Sequence, residues 1–236
     1  MTEKMSDPSI QTPTGPAKDA TGHWHVSLAE IDAMGRKAAR GAGLSWGLAE
    51  EAGRAARWLA AYRLPGPEAL LTALRAIDGK VSACAPRPQQ PVWLAEAGVL
   101  CPVATGAALS DRADRIAAGT AFRLGPVAAP LLIVPFLCRA ARDLGCVIRL
   151  GNAEHELVAT PDGPAADWHW LNGDTAEGLT VSLAEVEPRA AREPGAAPWR
   201  VAVETWRALD SFAHRTYAPA TEASRAGAGS GVPDSD

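Results

Sequence analysis

Length, composition and charge restrict the classes of protein that this sequence can encode. The chain has 236 residues, of which 47% are hydrophobic and 21% are charged, and its formal net charge at pH 7 is −4. These values are ordinary for a globular protein that buries a substantial core. Because the basic residues are spread along the chain, no concentrated positive surface is expected, which argues against nucleic-acid binding and against polybasic attachment to a membrane.

The chain begins with a polar segment, "MTEKMSDPSIQTPTGPAKDATG", that is rich in Pro, Thr and Ser. It has no apolar central stretch of the kind found in a secretory signal, so we expect a disordered leader over residues 1–22 and a cytoplasmic protein. A single α+β domain is expected over residues 23–226, and a flexible tail over residues 227–236. The "HWH" at residues 23–25 contains two histidines that could bind a metal, but next to a disordered leader they are expected to be solvated, and no metal is predicted.

Residues 27–78 are predicted to form a unit of three helices. Ser27 and Glu30 have the spacing of a capping box, glycines at 41 and 43 end the first helix, and Ser45 can cap the second. In the third helix, proline occupies the first turn. We expect Trp46, at the start of the second helix, to be a hydrophobic plug, with the wall of a pocket as the alternative.

The second helix carries a row of small residues at positions 49, 53, 56 and 60. Glycine inside a helix costs about 1 kcal/mol relative to alanine. A glycine at position 53 therefore predicts that another element packs very close to this row.

After residue 78, the helical spacing of apolar residues is no longer evident. Residues 79–119 have too little periodicity for an assignment, although "APRPQQP" is expected to be extended. The apolar run "LGPVAAPLLIVPFLC" is interrupted by three prolines and is shorter than the roughly 20 residues of a membrane span, so it is predicted to be core.

The C-terminal half, residues 120–226, is expected to combine a sheet with helices. A helix is predicted from Pro135 to Gly145, followed by a hairpin of "CVIRL" and "HELVAT", strands at "ADWHWL" and "GLTVSLAEV", and a last helix, "APWRVAVETWRALDSFAHRTY", ended by Pro219. The predicted fold class is α+β, with an N-terminal helical unit packed with a small, mostly antiparallel sheet and a C-terminal helix.

The four cysteines form no CxxC pair and are expected to be reduced thiols. Three have apolar neighbours and are predicted to be core residues. Cys101 differs because it precedes Pro102 in a loop-like region, and it is a candidate nucleophile if a base or a positive environment lies nearby.

Polar and ionisable residues are concentrated near the C-terminus. Arginine can bind a carboxylate or a phosphate through two parallel hydrogen bonds, tyrosine and threonine can orient a small polar ligand, and histidine or glutamate can act as a general base. The candidate catalytic residues there are His214 and Glu222, and the candidate substrate-binding residues are Arg215, Tyr217, Thr221 and Arg225. In the structural alternative, the same residues tie an extended arm to the folded body through salt bridges, with Tyr217 as an anchor.

Several stretches of the chain resemble a bacterial family of about this length that is catalogued as a domain of unknown function, number 3726 of that series. They are "RKAARGAGLSWGLAEEAGRAARWLA", "CPVATGAALSD", "LGPVAAPLLIVPFL" and "LDSFAHRTYAPATEASRAGAGSG". This resemblance implies no activity. The first two predicted helices also look somewhat like the N-terminal helices of the malate and L-lactate dehydrogenase family that lacks a Rossmann fold, but the catalytic pattern of that family is not found in this chain.

Two hypotheses about function remain, and neither requires a cofactor, since the chain contains no Walker loop, GxGxxG, HExxH or GxSxG motif. In the first, the protein is an enzyme or enzyme subunit that acts on a small carboxylate or phosphate metabolite, with the C-terminal arm closing a pocket. In the second, it is a non-catalytic accessory subunit or homo-oligomer that uses the small-residue helix faces and the prolines as an interface.

Overall fold

A computed structural model describes residues 22–165, 167–185, 193–195 and 198–217 of the chain. The predicted leader, the predicted tail and Pro219 lie outside these residues, apart from Gly22. The helices of the described part are α1 (Leu28–Gly41), α2 (Trp46–Ala61), α3 (Gly66–Ile77), α4 (Pro102–Ser110), α5 (Ala113–Ala117), α6 (Val134–Leu144) and α7 (Val203–His214). Its strands are β1 (His23–Val26), β2 (Val92–Trp93), β3 (Phe122–Leu124), β4 (Val127–Ala128), β5 (Ile148–Gly151), β6 (Glu156–Thr160), β7 (Gly163–Ala165), β8 (Thr175–Ala176), β9 (Thr180–Leu183) and β10 (Trp199–Ala202). The predicted α+β class is confirmed.

The predicted boundaries of the N-terminal helices are confirmed by their caps. The amide of Glu30 lies 3.2 Å from Ser27 Oγ, and the amide of Ser27 donates to Glu30 Oε2 at 2.8 Å, which completes a capping box at the start of α1. The amide of Leu48 lies 3.5 Å from Ser45 Oγ at the start of α2. These bonds satisfy amides that have no partner within the helix.

The first two helices touch through glycine backbones, as the row of small residues in α2 predicts. A Cβ atom placed on Gly53 would lie 2.6 Å from the carbonyl oxygen of Asp32 in α1. A Cβ atom placed on Gly35 would lie 3.0 Å from the Cα atom of Gly53. Alanine at either position would therefore force α1 and α2 apart.

Two further helix contacts depend on glycine. A Cβ on Gly41, the last residue of α1, would lie 1.7 Å from the carbonyl oxygen of Phe212 in α7. A Cβ on Gly66, at the start of α3, would lie 2.1 Å from the carbonyl oxygen of Ala56 in α2. Glycines thus set the spacing of all four helices in this layer.

Within the described residues, the largest sheet has six strands in the order β2-β3-β9-β5-β6-β7. Only the β2–β3 pair is parallel, so the predicted small, mostly antiparallel sheet is confirmed. Helix α6 packs on the face of β5 and β6 that carries the buried side chains of Ile148, Leu150, Leu157 and Ala159. Two-stranded pairs, β1 with β10 and β4 with β8, complete the sheets.

The hairpin of β5 and β6 and the helix predicted from Pro135 are confirmed, the latter within one residue at each end. The strand predicted at "ADWHWL" is wrong, because residues 169–171 form a 3-10 turn. The last helix is shorter than predicted, because "WRVA" forms strand β10 by pairing with β1. The expectation that "APRPQQP" is extended is also wrong, since residues 88–90 turn sharply and the amide of Arg87 bonds to the carbonyl of Leu94. None of the helices in the described ranges is long and apolar enough to cross a membrane.

Replacing Gly41 with alanine tests the close approach of α1 and α7. The added methyl would overlap the carbonyl of Phe212, so we expect Gly41→Ala to lower the free energy of unfolding by roughly 3 kcal/mol or more, measured by urea denaturation. The control is Gly47→Ala, since a Cβ at Gly47 in α2 would meet nothing within 4 Å. This control should stabilise the protein by up to about 1 kcal/mol. Equal effects of the two substitutions would contradict the packing described above.

Candidate functional site

The structure places three of the candidate residues of the C-terminal arm together at the end of α7. His214 Nε2 lies 3.3 Å from Asp210 Oδ2, one turn earlier in the helix. Arg215 Nη1 donates to Asp78 Oδ1 at 2.7 Å, and its guanidinium lies 4.4 Å from the ring centroid of Phe212. Arg215 therefore ties the end of α7 to the residue that follows α3. Thr221, Glu222 and Arg225 lie outside the described residues.

Tyr217 lies beside a small cavity between α1 and α7. Its ring is 52% exposed, meets the His214 ring edge-on at 5.0 Å between centroids, and lies 5.9 Å from Lys37 Nζ. The cavity, of about 170 Å³, is also lined by the carboxylates of Glu30 and Asp210. Two carboxylates against one ammonium make this cavity unfavourable for an anion.

Cys101, the candidate nucleophile, is fully buried immediately before α4. Burial raises the pKa of its thiol from 9.0 to about 11, and it raises the pKa of Cys138 to about 12. A thiol with so high a pKa stays protonated at neutral pH and is a poor nucleophile. Cys101 is therefore not part of the site proposed below.

Trp46 is not the hydrophobic plug that its position at the start of α2 suggested. Its side chain is 68% exposed, and the guanidinium of Arg40 lies 4.5 Å from its ring centroid. The exposed indole is thus held by a cation–π contact at the surface.

A larger cavity, of about 490 Å³, lies between the loop that precedes β2, helix α5 and the start of β3. We call it the Arg112–Arg115 pocket. Its polar walls are formed by two guanidinium groups, two side-chain amides and a hydroxyl, and they belong to Gln89, Gln90, Arg112, Arg115 and Thr120. None of these residues is among the candidate site residues predicted from the sequence.

Both arginines of the Arg112–Arg115 pocket rest on buried aromatic rings. The guanidinium carbon of Arg112 lies 5.6 Å from the ring centroid of Trp93, and its Nη1 donates to the carbonyl of Ala108 at 3.0 Å. The guanidinium carbon of Arg115 lies 5.5 Å from the ring centroid of Phe122. The two rings meet edge to face at 5.1 Å and are almost completely buried. A rigid aromatic base therefore positions the two cations.

The Arg112–Arg115 pocket is positively charged. Among the described residues, its lining includes two guanidinium groups and no carboxylate. In the part of the chain that the structure describes, neither arginine forms an ion pair with Asp or Glu. An oxyanion is the group that this arrangement of donors is suited to bind, since guanidinium groups donate to its oxygens in pairs.

The sequence "DRADR" contains one pattern that indicates this pocket. Its two arginines, Arg112 and Arg115, are three residues apart and so share one face of a helical turn. The aromatic rings that support them come from β2 and β3, and only the fold brings these together. Among the described residues, no group of three or more His, Cys, Asp or Glu side chains could hold a metal ion.

Comparison with known proteins identifies one family. A family model described as "Protein of unknown function (DUF3726)" matches residues 26–100. The resemblance to this family is therefore confirmed over α1, α2, α3 and β2. The matched segment contributes Gln89, Gln90 and Trp93 to the Arg112–Arg115 pocket, and both arginines lie beyond it. No curated protein and no solved structure matches the chain, so the weaker likeness to dehydrogenase helices receives no support.

Replacing Tyr217 with alanine tests whether this residue anchors the end of α7. Loss of the ring contacts with His214 and Lys37 should cost about 1 kcal/mol and lower the melting temperature by roughly 3 °C, measured by circular dichroism. Tyr217→Phe keeps the ring and should retain the wild-type melting temperature. An unchanged melting temperature in Tyr217→Ala would show that the anchor is absent.

The raised pKa values of Cys101 and Cys138 predict how the free energy of unfolding depends on pH. Because their folded pKa values exceed that of an unfolded thiol, the unfolded chain loses these protons first as the pH rises. The free energy of unfolding should therefore fall between about pH 9 and pH 11, by up to about 1.4 kcal/mol per pH unit for each thiol. Urea denaturation across this range should give a shallower decline for Cys101→Ala than for the wild type. Parallel declines would contradict the high pKa of Cys101.

Proposed function

We propose that this protein binds a small phosphate- or carboxylate-bearing metabolite in the Arg112–Arg115 pocket. The observation that carries this proposal is a pair of guanidinium groups that face one cavity of about 490 Å³ and form no ion pair within the described residues. Unpaired cations side by side repel each other, and an oxyanion between them removes that repulsion.

The arrangement of the two arginines favours binding in a second way. Arg112 is the N-cap residue of α5, Arg115 lies three residues later within that helix, and both side chains line the same pocket, so both guanidinium groups can reach one phosphate or carboxylate. Arg112 is already held by Trp93 and by the carbonyl of Ala108. Because little side-chain freedom is left for Arg112 to lose, the entropic cost of binding is reduced.

The size and polarity of the Arg112–Arg115 pocket indicate the class of ligand. Sites for small molecules typically enclose about 300–1,000 Å³, and this pocket lies within that range. The amides of Gln89 and Gln90 and the hydroxyl of Thr120 add neutral donors and acceptors beside the two cations. A hydroxy acid or a sugar phosphate has matching groups next to its charge.

This proposal moves the ligand site away from the C-terminal arm, where Arg215 is already paired with Asp78. The proposed function is binding of the metabolite, and no catalytic step is proposed. The described residues that line the Arg112–Arg115 pocket include no histidine, cysteine or carboxylate to act as a general acid or base. All four cysteines are free thiols, which suits the cytoplasmic location that we propose.

The competing hypothesis, an accessory subunit or homo-oligomer, has weaker support. In the described residues, the large exposed apolar side chains are those of Trp46, Leu94, Leu144 and Tyr217. Two of them, Trp46 and Tyr217, lie beside α1 at Arg40 and Lys37, whereas Leu94 follows β2 and Leu144 ends α6. The core of an interface is a larger contiguous apolar patch. We therefore place binding of a small anion first.

Thermal stabilisation by ligand tests the proposal. Inorganic phosphate, malate and a sugar phosphate should be screened, and at about one hundred times its dissociation constant a bound ligand should stabilise the wild type by about 2.7 kcal/mol, or roughly 5–10 °C. Arg115→Gln and Arg112→Gln should each weaken binding at least about tenfold, since each removes a charge-assisted hydrogen-bond donor.

The matched control is Arg207→Gln, because Arg207 also lies over an aromatic ring, that of Trp24, and it does not line the pocket. It should respond to ligand as the wild type does. The proposal fails if none of the anions stabilises the wild type, or if both pocket variants keep the full response.

A further inference from the structure

A second cavity, of about 110 Å³, lies between α2 and α6, and we call it the α2–α6 cleft. Its floor is apolar and is formed mainly by Ala55, Trp58 and Phe136. Phe136 is 2% exposed and Ala55 is 3% exposed, so the floor belongs to the hydrophobic core. Trp58 stacks on Tyr62 at 4.2 Å between centroids, and the hydroxyl of Tyr62 donates to the carbonyl of Asp162 at 3.1 Å. These contacts hold the floor in place.

The rim of the α2–α6 cleft carries charges that largely cancel. The carboxylate of Glu51 accepts from Arg54 at 2.8 Å on one oxygen and from Arg139 at 2.9 Å on the other. Arg54 also bonds to Glu50 at 3.1 Å. Two carboxylates and two guanidinium groups thus form a neutral network along the rim.

Arg142 also lies on this rim, but it is not part of the ion-pair network of Glu50, Glu51, Arg54 and Arg139. Its Nε donates to the carbonyl of Pro161 at 3.0 Å, and it also interacts with the hydroxyl of Tyr62. Within the described ranges, no carboxylate forms an ion pair with Arg142. The cleft therefore presents an apolar floor and, at its rim, one guanidinium group that forms no ion pair with a described residue.

We infer that the α2–α6 cleft is a second ligand site, for a small monocarboxylate with a short apolar body. The apolar body packs on Trp58 and Phe136, and the carboxylate pairs with Arg142. A cavity of 110 Å³ has the volume of about four water molecules, which limits the body to a few carbon atoms. This site is independent of the Arg112–Arg115 pocket, which has polar walls and two uncompensated cations.

The charges on the rim also determine whether the cleft prefers a monocarboxylate to a dicarboxylate. One carboxylate pairs with Arg142, but a second carboxylate on the same ligand would meet the carboxylate of Glu51, whose two oxygens already accept from Arg54 and Arg139. Butyrate should therefore bind more tightly than succinate, and butylamine should not bind. Butanol should bind weakly, because it keeps the apolar contact and loses the ion pair.

The test is isothermal titration of the full-length protein with butyrate, succinate, butanol and butylamine. Arg142→Gln should weaken butyrate binding at least about tenfold, because the carboxylate loses its counter-ion. Ala55→Leu keeps every charge but fills the floor, and it should abolish butyrate binding. Arg207→Gln, in which the lost arginine lies on α7, should bind butyrate with wild-type affinity.

A third variant predicts a gain instead of a loss. Glu51→Gln removes one negative charge from the rim, so it should bind succinate at least about tenfold more tightly than the wild type does. Misfolding cannot produce such a gain. The inference is overturned if butyrate does not bind the wild type, if Arg142→Gln and Ala55→Leu both retain wild-type affinity, or if the wild type prefers succinate to butyrate.

Discussion

The contact between the backbones of α1 and α2 at Gly35 and Gly53 is the constraint on which the rest of this fold depends. A Cβ atom on Gly35 would lie 3.0 Å from the Cα atom of Gly53, so neither position has room for a side chain. Helices that approach this closely gain dispersion contacts along their whole length without fixing long side chains. The same spacing continues at Gly41 against α7 and at Gly66 against α2. Because α2 is held on one side by α1 and α3, its opposite side is free to form a charged rim against α6.

The arginines of this protein fall into groups that differ in their partners, and this difference separates structural from ligand-binding roles. Arg215 is paired with Asp78 and joins two helix ends. Arg54 and Arg139 share the carboxylate of Glu51. Arg112 and Arg115 have aromatic support and, within the described residues, no carboxylate partner. An arginine that already holds a carboxylate must lose that partner before it binds a ligand, whereas an unpaired arginine needs only to lose water.

Local patterns in the sequence predict much of the fold but little of the candidate site. The capping box at Ser27, the tight packing at Gly53 and the hairpin after Gly145 depend on residues near one another in the chain, so they can be predicted from sequence alone. The sequence of strand β10 predicts part of the last helix, because the strand conformation depends on pairing with β1, more than 170 residues earlier. The Arg215–Asp78 pair likewise joins residues that are 137 positions apart. Of the polar residues that are concentrated near the C-terminus, the described ones, His214, Arg215 and Tyr217, lie at the end of α7, but the sequence cannot show that Arg215 is paired with Asp78.

The central claim is that an oxyanion binds between Arg112 and Arg115, and the most direct measurement is an NMR titration of the arginine Nε–Hε signals with inorganic phosphate. The account predicts that the signals of these two arginines shift together and saturate with one binding constant, while the signal of Arg207 stays in place. Phosphate that leaves both pocket signals unmoved, or that shifts every exposed arginine equally and without saturation, would contradict it.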